Sequence, residues 1–76
     1  MKELKEGDTA TVMVILEGDT ATVKAGTEGI VYEVNKIPKG YEEFARRLGA
    51  QPICYLIKFP GELIFRVDPE QIKESL

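Results

Sequence analysis

The chain has 76 residues, of which 43% are hydrophobic and 30% are charged, and its formal net charge is −3. We expect a chain of this length to form one domain, residues 1–76, whose small core leaves little room for an enzymatic cleft. The acidic balance argues against a protein that binds nucleic acid through its phosphate backbone, because such domains usually carry a basic surplus.

The residue types exclude several kinds of catalytic and metal site. Histidine is absent, which excludes Ser-His-Asp and Cys-His catalysis and histidine-containing zinc sites. The single Cys54 cannot hold an iron-sulfur cluster, which usually takes four thiolates, and it has no Cys-x-x-Cys partner. We therefore predict a protein that is not an enzyme, with no catalytic, cofactor-binding or metal-binding residue.

The same composition bears on the compartment. One cysteine in an apolar run indicates a reducing environment, and no signal peptide or membrane-spanning stretch is visible. We predict a cytoplasmic protein that does not bind membranes. Few Asn and Gln beside many Glu, Lys, Ile and Val residues are typical of a thermophilic source.

The first half of the chain reads as strands joined by glycine-containing turns. Residues 9–16 are β-branched and predict a strand, residues 17–19 a tight turn, and residues 20–24 a returning arm. Gly26 and Gly29 are predicted to supply positive φ angles in a structural turn. The alternation that follows predicts a strand with one fully buried face, formed by Ile30, Tyr32 and Val34.

A short amphipathic helix is predicted over residues 41–48. Its apolar residues recur at i, i+3, i+4 and i+7, namely Tyr41, Phe44, Ala45 and Leu48. The spacing also allows ion pairs between Glu42 and Arg46 and between Glu43 and Arg47, and Gly49 stands where the helix should end.

A hairpin and a helical turn complete the chain. Residues 53–59 and 62–67 predict two strands around Pro60-Gly61. Pro followed by Gly suits a type II turn, and because that turn matches the twist of strands less well, a bulge or a wider loop is the alternative. Asp68 and Pro69 predict a C-terminal 3-10 turn. In this hairpin the inward residues are Ile53, Tyr55, Ile57, Phe59, Leu63, Phe65 and Val67, and the outward ones are Cys54, Leu56 and Ile64. Either the inserted helix or another protein must cover the outward residues.

The element order predicts a mainly β fold: a small five-stranded SH3-like barrel with the inserted helix and the 3-10 turn. Three segments resemble the SH3-like barrels of electron-transport accessory proteins. These segments are residues 25–31 (AGTEGIV), 52–59 (PICYLIKF) and 65–72 (FRVDPEQI). The group includes the photosystem I subunit PsaE and the nitrogenase accessory protein NifZ, and the nearest match is the variable chain of ferredoxin-thioredoxin reductase.

The resemblance implies a non-catalytic accessory subunit that packs on an iron-sulfur catalytic chain. Under this hypothesis the partner-binding residues are Phe44, Arg47, Leu56 and Ile64. Two alternatives stay open: a nucleic-acid-binding barrel of ribosomal or transcriptional type, and a structural homo-oligomer.

Overall fold

A computed structural model describes residues 3–49 and 52–75. Over these ranges the chain is mainly β, with one short helix and one 3-10 turn, as the sequence predicts. The elements are β1 (Thr9–Val12), β2 (Leu16–Glu17), β3 (Thr22–Val23), β4 (Glu28–Lys36), α1 (Glu42–Arg47), β5 (Ile53–Phe59), β6 (Leu63–Val67), the 3-10 turn (Pro69–Gln71) and β7 (Ile72–Glu74).

Five of the strands form one antiparallel sheet in the order β6-β5-β4-β1-β7, and β2 pairs with β3 in a separate two-stranded sheet. Among the described residues the strand pairing does not close into a barrel, since β6 and β7 lie at the two edges of the larger sheet. The predicted β5–β6 hairpin is confirmed, with Phe59 opposite Leu63.

The first predicted strand is interrupted. Residues 9–16 do not run straight through, because after β1 the backbone N–H of Met13 donates to the carbonyl of Gln71, 2.8 Å away. Residues 13–15 lie outside any strand, and the chain resumes as β2. Val14, predicted on the same side as Val12, is therefore exposed. The predicted hairpin survives as β2 and β3, and the amide of Gly18 donates to the carbonyl of Ala21 across its turn.

The core lies on the inner face of the larger sheet. Of the predicted inward residues of β5, Tyr55, Ile57 and Phe59 are buried, and Ile53 is half-buried and packs against them. Phe65 and Leu63 pack against this core from β6. The core cluster consists of Leu4, Ala10, Val12, Leu16, Val23, Val31, Tyr55, Ile57, Phe59, Val67 and Ile72.

β4 contains a β-bulge, and the first part of the strand presents to the core the face opposite to the predicted one. Val31 lies opposite Ile57, whereas Glu33 lies opposite Leu56, so β4 has one residue more than β5 at this point. Val31 is buried, and Ile30 and Tyr32 are exposed. Val34, which follows the bulge, is half-buried and packs against the core as predicted. The prediction that Ile30 and Tyr32 share the face of Val34 is wrong, because the extra residue breaks the alternation between Ile30 and Val34.

The segment before β1 packs on the core, which the sequence does not predict. Leu4 is buried, and its backbone N–H donates to the hydroxyl of Tyr55 at 3.2 Å. The amide of Gly7 then donates to the carbonyl of Val31 at 2.9 Å, and the amide of Val31 donates to the carbonyl of Asp8 at 2.8 Å. These bonds fix the segment across one end of the sheet.

The β5–β6 turn contains a residue in an unfavourable conformation. Three residues, 60–62, separate the paired Phe59 and Leu63, which agrees with the predicted wider loop. Gly61 has φ +89°, and Glu62 has φ +64°. A positive φ costs a residue with a Cβ atom about 1–2 kcal/mol.

We expect Glu62→Gly to raise the free energy of unfolding by about 0.5 kcal/mol, because the relieved strain exceeds the added entropy of the unfolded chain. Glu62→Val should lower it by about 1–2 kcal/mol, since β-branched residues tolerate this region least. Urea unfolding measures both. Glu62→Ala is the control for the exposed pair between Glu62 and Lys58, whose N–O distance is 3.7 Å. Equal stability of the valine variant and the wild type would contradict the strained conformation.

Candidate protein-binding surface

The outer side of the larger sheet carries a row of apolar and basic side chains. Ile30 on β4 lies opposite Lys58 on β5, which lies opposite Ile64 on β6. Beside this row, Leu56 lies opposite Arg66. Side chains of paired residues stand on the same face of a sheet, so these residues form one surface. We call this surface the outer face and define it as Ile30, Tyr32, Glu33, Leu56, Lys58, Ile64 and Arg66.

Three large apolar side chains of the outer face are exposed to solvent. Ile30 is 54% exposed, Tyr32 57% and Ile64 46%, and Leu56 is half-buried. Neighbouring exposed apolar residues on a small domain mark an interaction site more often than single ones do. Lys58 and Arg66 give the surface a basic component in an acidic chain, and Arg66 is exposed.

A groove extends this surface at one end. It has a volume of about 350 Å³ and runs from Ile30 and Lys58 to the β5–β6 turn. Gly29 forms part of its lining, and Pro60 and Gly61 form its far wall. A partner side chain could enter here while the rest of the partner covers the strands.

The structure divides the four predicted partner-binding residues between two places. Leu56 and Ile64 lie on the outer face, on adjacent strands and two pairing positions apart. Phe44 and Arg47 lie one helical turn apart on α1, in the connection between β4 and β5. Phe44 is exposed, and Nη2 of Arg47 lies 3.3 Å from Oε1 of Glu43, which is one of the two predicted ion pairs.

The helix does not bury its own apolar stripe. It is close to the predicted 41–48, with Tyr41 at its N-cap and Leu48 at its C-cap. Of the predicted stripe, however, only Ala45 is buried; Tyr41, Phe44 and Leu48 are 62%, 63% and 71% exposed. α1 therefore adds to the exposed apolar surface of the molecule.

Sequence reasoning missed Ile30 and Tyr32 as members of the outer face. Both were predicted to be buried, because regular alternation from Ile30 to Val34 puts all three on one side. Val31 is part of the core and Val34 packs against it, although the two are three residues apart in sequence. A strand can place both on one face only if it contains a bulge. That spacing is a signal of the bulge, but it is also compatible with a helix.

A second exposed apolar region lies in the segment between β1 and β2. Met13 and Ile15, in the break between β1 and β2, are exposed. Met13 also lines a groove of about 290 Å³ together with Leu4, Tyr55, Pro69 and Ile72. No strand pairing holds Met13 and Ile15 on a common face, since both lie outside the strands.

Polar chemistry is sparse in the described part of the chain. Residues 3–49 and 52–75 contain no group of three or more His, Cys, Asp or Glu side chains that could hold a metal ion. Cys54 is a free, half-buried thiol on β5. Glu3 Oε1 lies 2.5 Å from Nζ of Lys36, and this hydrogen bond and charge raise the pKa of Lys36 above its ordinary value. The pair favours folding while both groups are charged, and this effect is lost as the pH rises through the raised pKa of Lys36.

No helix within residues 3–49 and 52–75 has the length and apolar character needed to cross a bilayer. In comparisons with known proteins, no family model, no curated protein and no solved structure matches this chain.

Proposed function

We propose that the protein is a non-catalytic binding subunit that docks on a protein partner through the outer face of its larger sheet. The observation that carries this proposal is the exposure of Ile30, Tyr32 and Ile64 beside Leu56 on three adjacent strands. Sheet residues held by backbone pairing are ordered before binding, which lowers the entropic cost of association. The cytoplasm is the predicted compartment.

The proposed fold is the SH3-like barrel. Support comes from the meander β4-β5-β6, from the pairing of β1 with both β4 and β7, and from the 3-10 turn directly before the last strand. The β2–β3 hairpin also approaches the inner side of β6, since a Cβ atom at Gly18 would lie 3.0 Å from the ring of Phe65. Small antiparallel sheets commonly curl in this way to protect their edges.

The proposed partner is an iron-sulfur or thioredoxin-reductase-like catalytic chain. This part rests on the resemblance of residues 25–31, 52–59 and 65–72 to electron-transport accessory barrels. Each of these segments contributes to the outer face: Ile30 comes from the first, Leu56 and Lys58 from the second and Arg66 from the third.

The test is capture of the partner by immobilised protein from an extract of the source organism, with iron and acid-labile sulfide measured in the captured fraction. We expect Leu56→Glu and Ile64→Glu to reduce capture at least tenfold, because each buries a charge at an apolar interface. Thr22→Glu, on the exposed side of β3, is the matched control and should capture normally. Undiminished capture by both outer-face variants, or a captured chain without iron, would contradict the proposal.

A nucleic-acid-binding barrel is the second candidate, and one observation favours it. Lys58 and Arg66 lie on the same face as the exposed ring of Tyr32. Basic side chains beside an aromatic ring are typical of sites that bind single-stranded nucleic acid. Glu33 lies opposite Leu56 on this face and weakens the field. Fluorescence titration with RNA and DNA at two salt concentrations tests this candidate. Binding that weakens steeply with salt would support it, because contacts to phosphate depend on salt in this way.

A further inference from the structure

We infer that α1 is a self-complementary interface through which two copies of this chain form a weak, symmetric dimer. The occupant of the exposed helix stripe is thus a second α1. This dimer uses a surface other than the outer face, so it can exist beside the docking proposed above.

The apolar stripe of α1 is unusually exposed. Tyr41, Phe44 and Leu48 are the three most exposed large apolar residues among those described, and they recur at helical spacing. A helix normally turns such a stripe inward, and here only Ala45 is buried. Each exposed side chain offers on the order of 100 Å² of surface, so the stripe is large enough for a small interface but not for a permanent one.

Charge is arranged asymmetrically along the helix. Its first turn is acidic, with Glu42 and Glu43, and its last turn is basic, with Arg46 and Arg47. When two such helices pack antiparallel about a twofold axis near Phe44, the acidic turn of each lies against the basic turn of the other. A parallel arrangement would instead put like charges together. The charge pattern therefore selects a second, antiparallel copy.

Two residues of opposite charge flank the stripe on one side. At 3.6 residues per turn, Glu43 and Arg47 lie next to Phe44 on one side of the stripe. These two residues already form an exposed pair at 3.3 Å within one helix. In the antiparallel dimer Glu43 of each copy meets Arg47 of the other, so the pair can become a network of four charges. Exposed networks of this kind stabilise more than isolated pairs do.

The test uses the full chain in sedimentation equilibrium from about 10 μM to about 1 mM, since an interface of this size has a dissociation constant on the order of 100 μM. The wild-type mass should rise from 8.5 kDa towards twice that value. Phe44→Glu should remain monomeric at every concentration. Ile64→Glu is the matched control on the outer face and should dimerise like the wild type.

Two single variants test the antiparallel arrangement. Glu43→Arg makes the helix basic and Arg47→Glu makes it acidic, so each alone should weaken self-association at least tenfold. An equimolar mixture should form a heterodimer at least as tight as the wild-type dimer, because residues 43 and 47 of each copy then meet opposite charges on the other copy. Circular dichroism verifies that each variant is folded. A monomeric wild type at about 1 mM, or a mixture that stays monomeric, would overturn the inference and leave the stripe to a different protein.

Discussion

Gly29→Ala is expected to lower the free energy of unfolding by about 3 kcal/mol, and Gly29→Val by more, because β4 and β5 approach too closely for a side chain. A Cβ atom at Gly29 would lie 2.5 Å from Cγ2 of Ile57, 2.8 Å from Cδ1 of Phe59 and 2.9 Å from the carbonyl oxygen of Lys58. Two of these neighbours are buried core residues, and the third contact is to backbone, so none can move aside cheaply.

Gly26 is the matched control, since it lies three residues earlier and is needed for a different reason. It has φ +91°, and a Cβ atom there would have no other atom within 4 Å. Gly26→Ala should therefore cost only about 1 kcal/mol. Urea unfolding compares the two variants. If Gly26→Ala proved the more damaging, the close approach of β4 to β5 would be contradicted.

Deletion of Tyr32 is expected to leave the fold intact, whereas deletion of Ile30 two residues earlier should unfold the protein. Removing Tyr32 takes out the extra residue of the bulge, so Val31 and Glu33 can pair regularly with Ile57 and Leu56. Val31 and Val34 then stay on the inner face. We expect a loss of stability of about 1 kcal/mol or less.

Deletion of Ile30 has the opposite effect on the register. It makes Gly29 and Val31 adjacent, and adjacent strand residues cannot both face the core. Either Val31 leaves the core or a larger side chain replaces Gly29 against Ile57, and the cost should exceed about 4 kcal/mol. Thermal unfolding followed by circular dichroism measures both deletions, and nuclear Overhauser contacts between Val31 and Ile57 report the register. Equal loss of folding in both would contradict the placement of the bulge.

Much of the fold follows from local sequence. The β5–β6 hairpin is predictable because a run of strand-forming residues from Ile53 to Phe59 leads into a Pro-Gly turn and a second such run follows it. The 3-10 turn is predictable because Asp68 and Pro69 specify its start, and the Asp68 amide indeed donates to Oε1 of Gln71. These features depend on residues close in sequence, which is where pattern rules work best.

The errors arise where distant segments decide the conformation. Both Gly26 and Gly29 were predicted to hold a positive φ, but only Gly26 does; Gly29 is required by the proximity of β5. Residues 13–15 leave β1 because Met13 bonds to Gln71. Neither contact can be inferred from the residues that lie nearby in the sequence.

The candidate site was predictable in part for the same reason. Leu56 and Ile64 follow from the alternation of their own strands, which are regular. Ile30 and Tyr32 depend on the bulge in β4, and the exposed stripe of α1 depends on how the helix is set against the sheet. A helical pattern shows that a stripe exists but not what it faces.

The pairing of β1 with β7 has a consequence for how fast the chain folds. This pairing joins residues far apart in sequence: Thr11 Oγ1 and Ser75 Oγ lie 2.5 Å apart across a separation of 64 residues. Closing so long a loop costs conformational entropy before any contact compensates for it. We therefore expect folding on the millisecond-to-second scale of non-local β topologies, with the β5–β6 hairpin formed early and β7 added last.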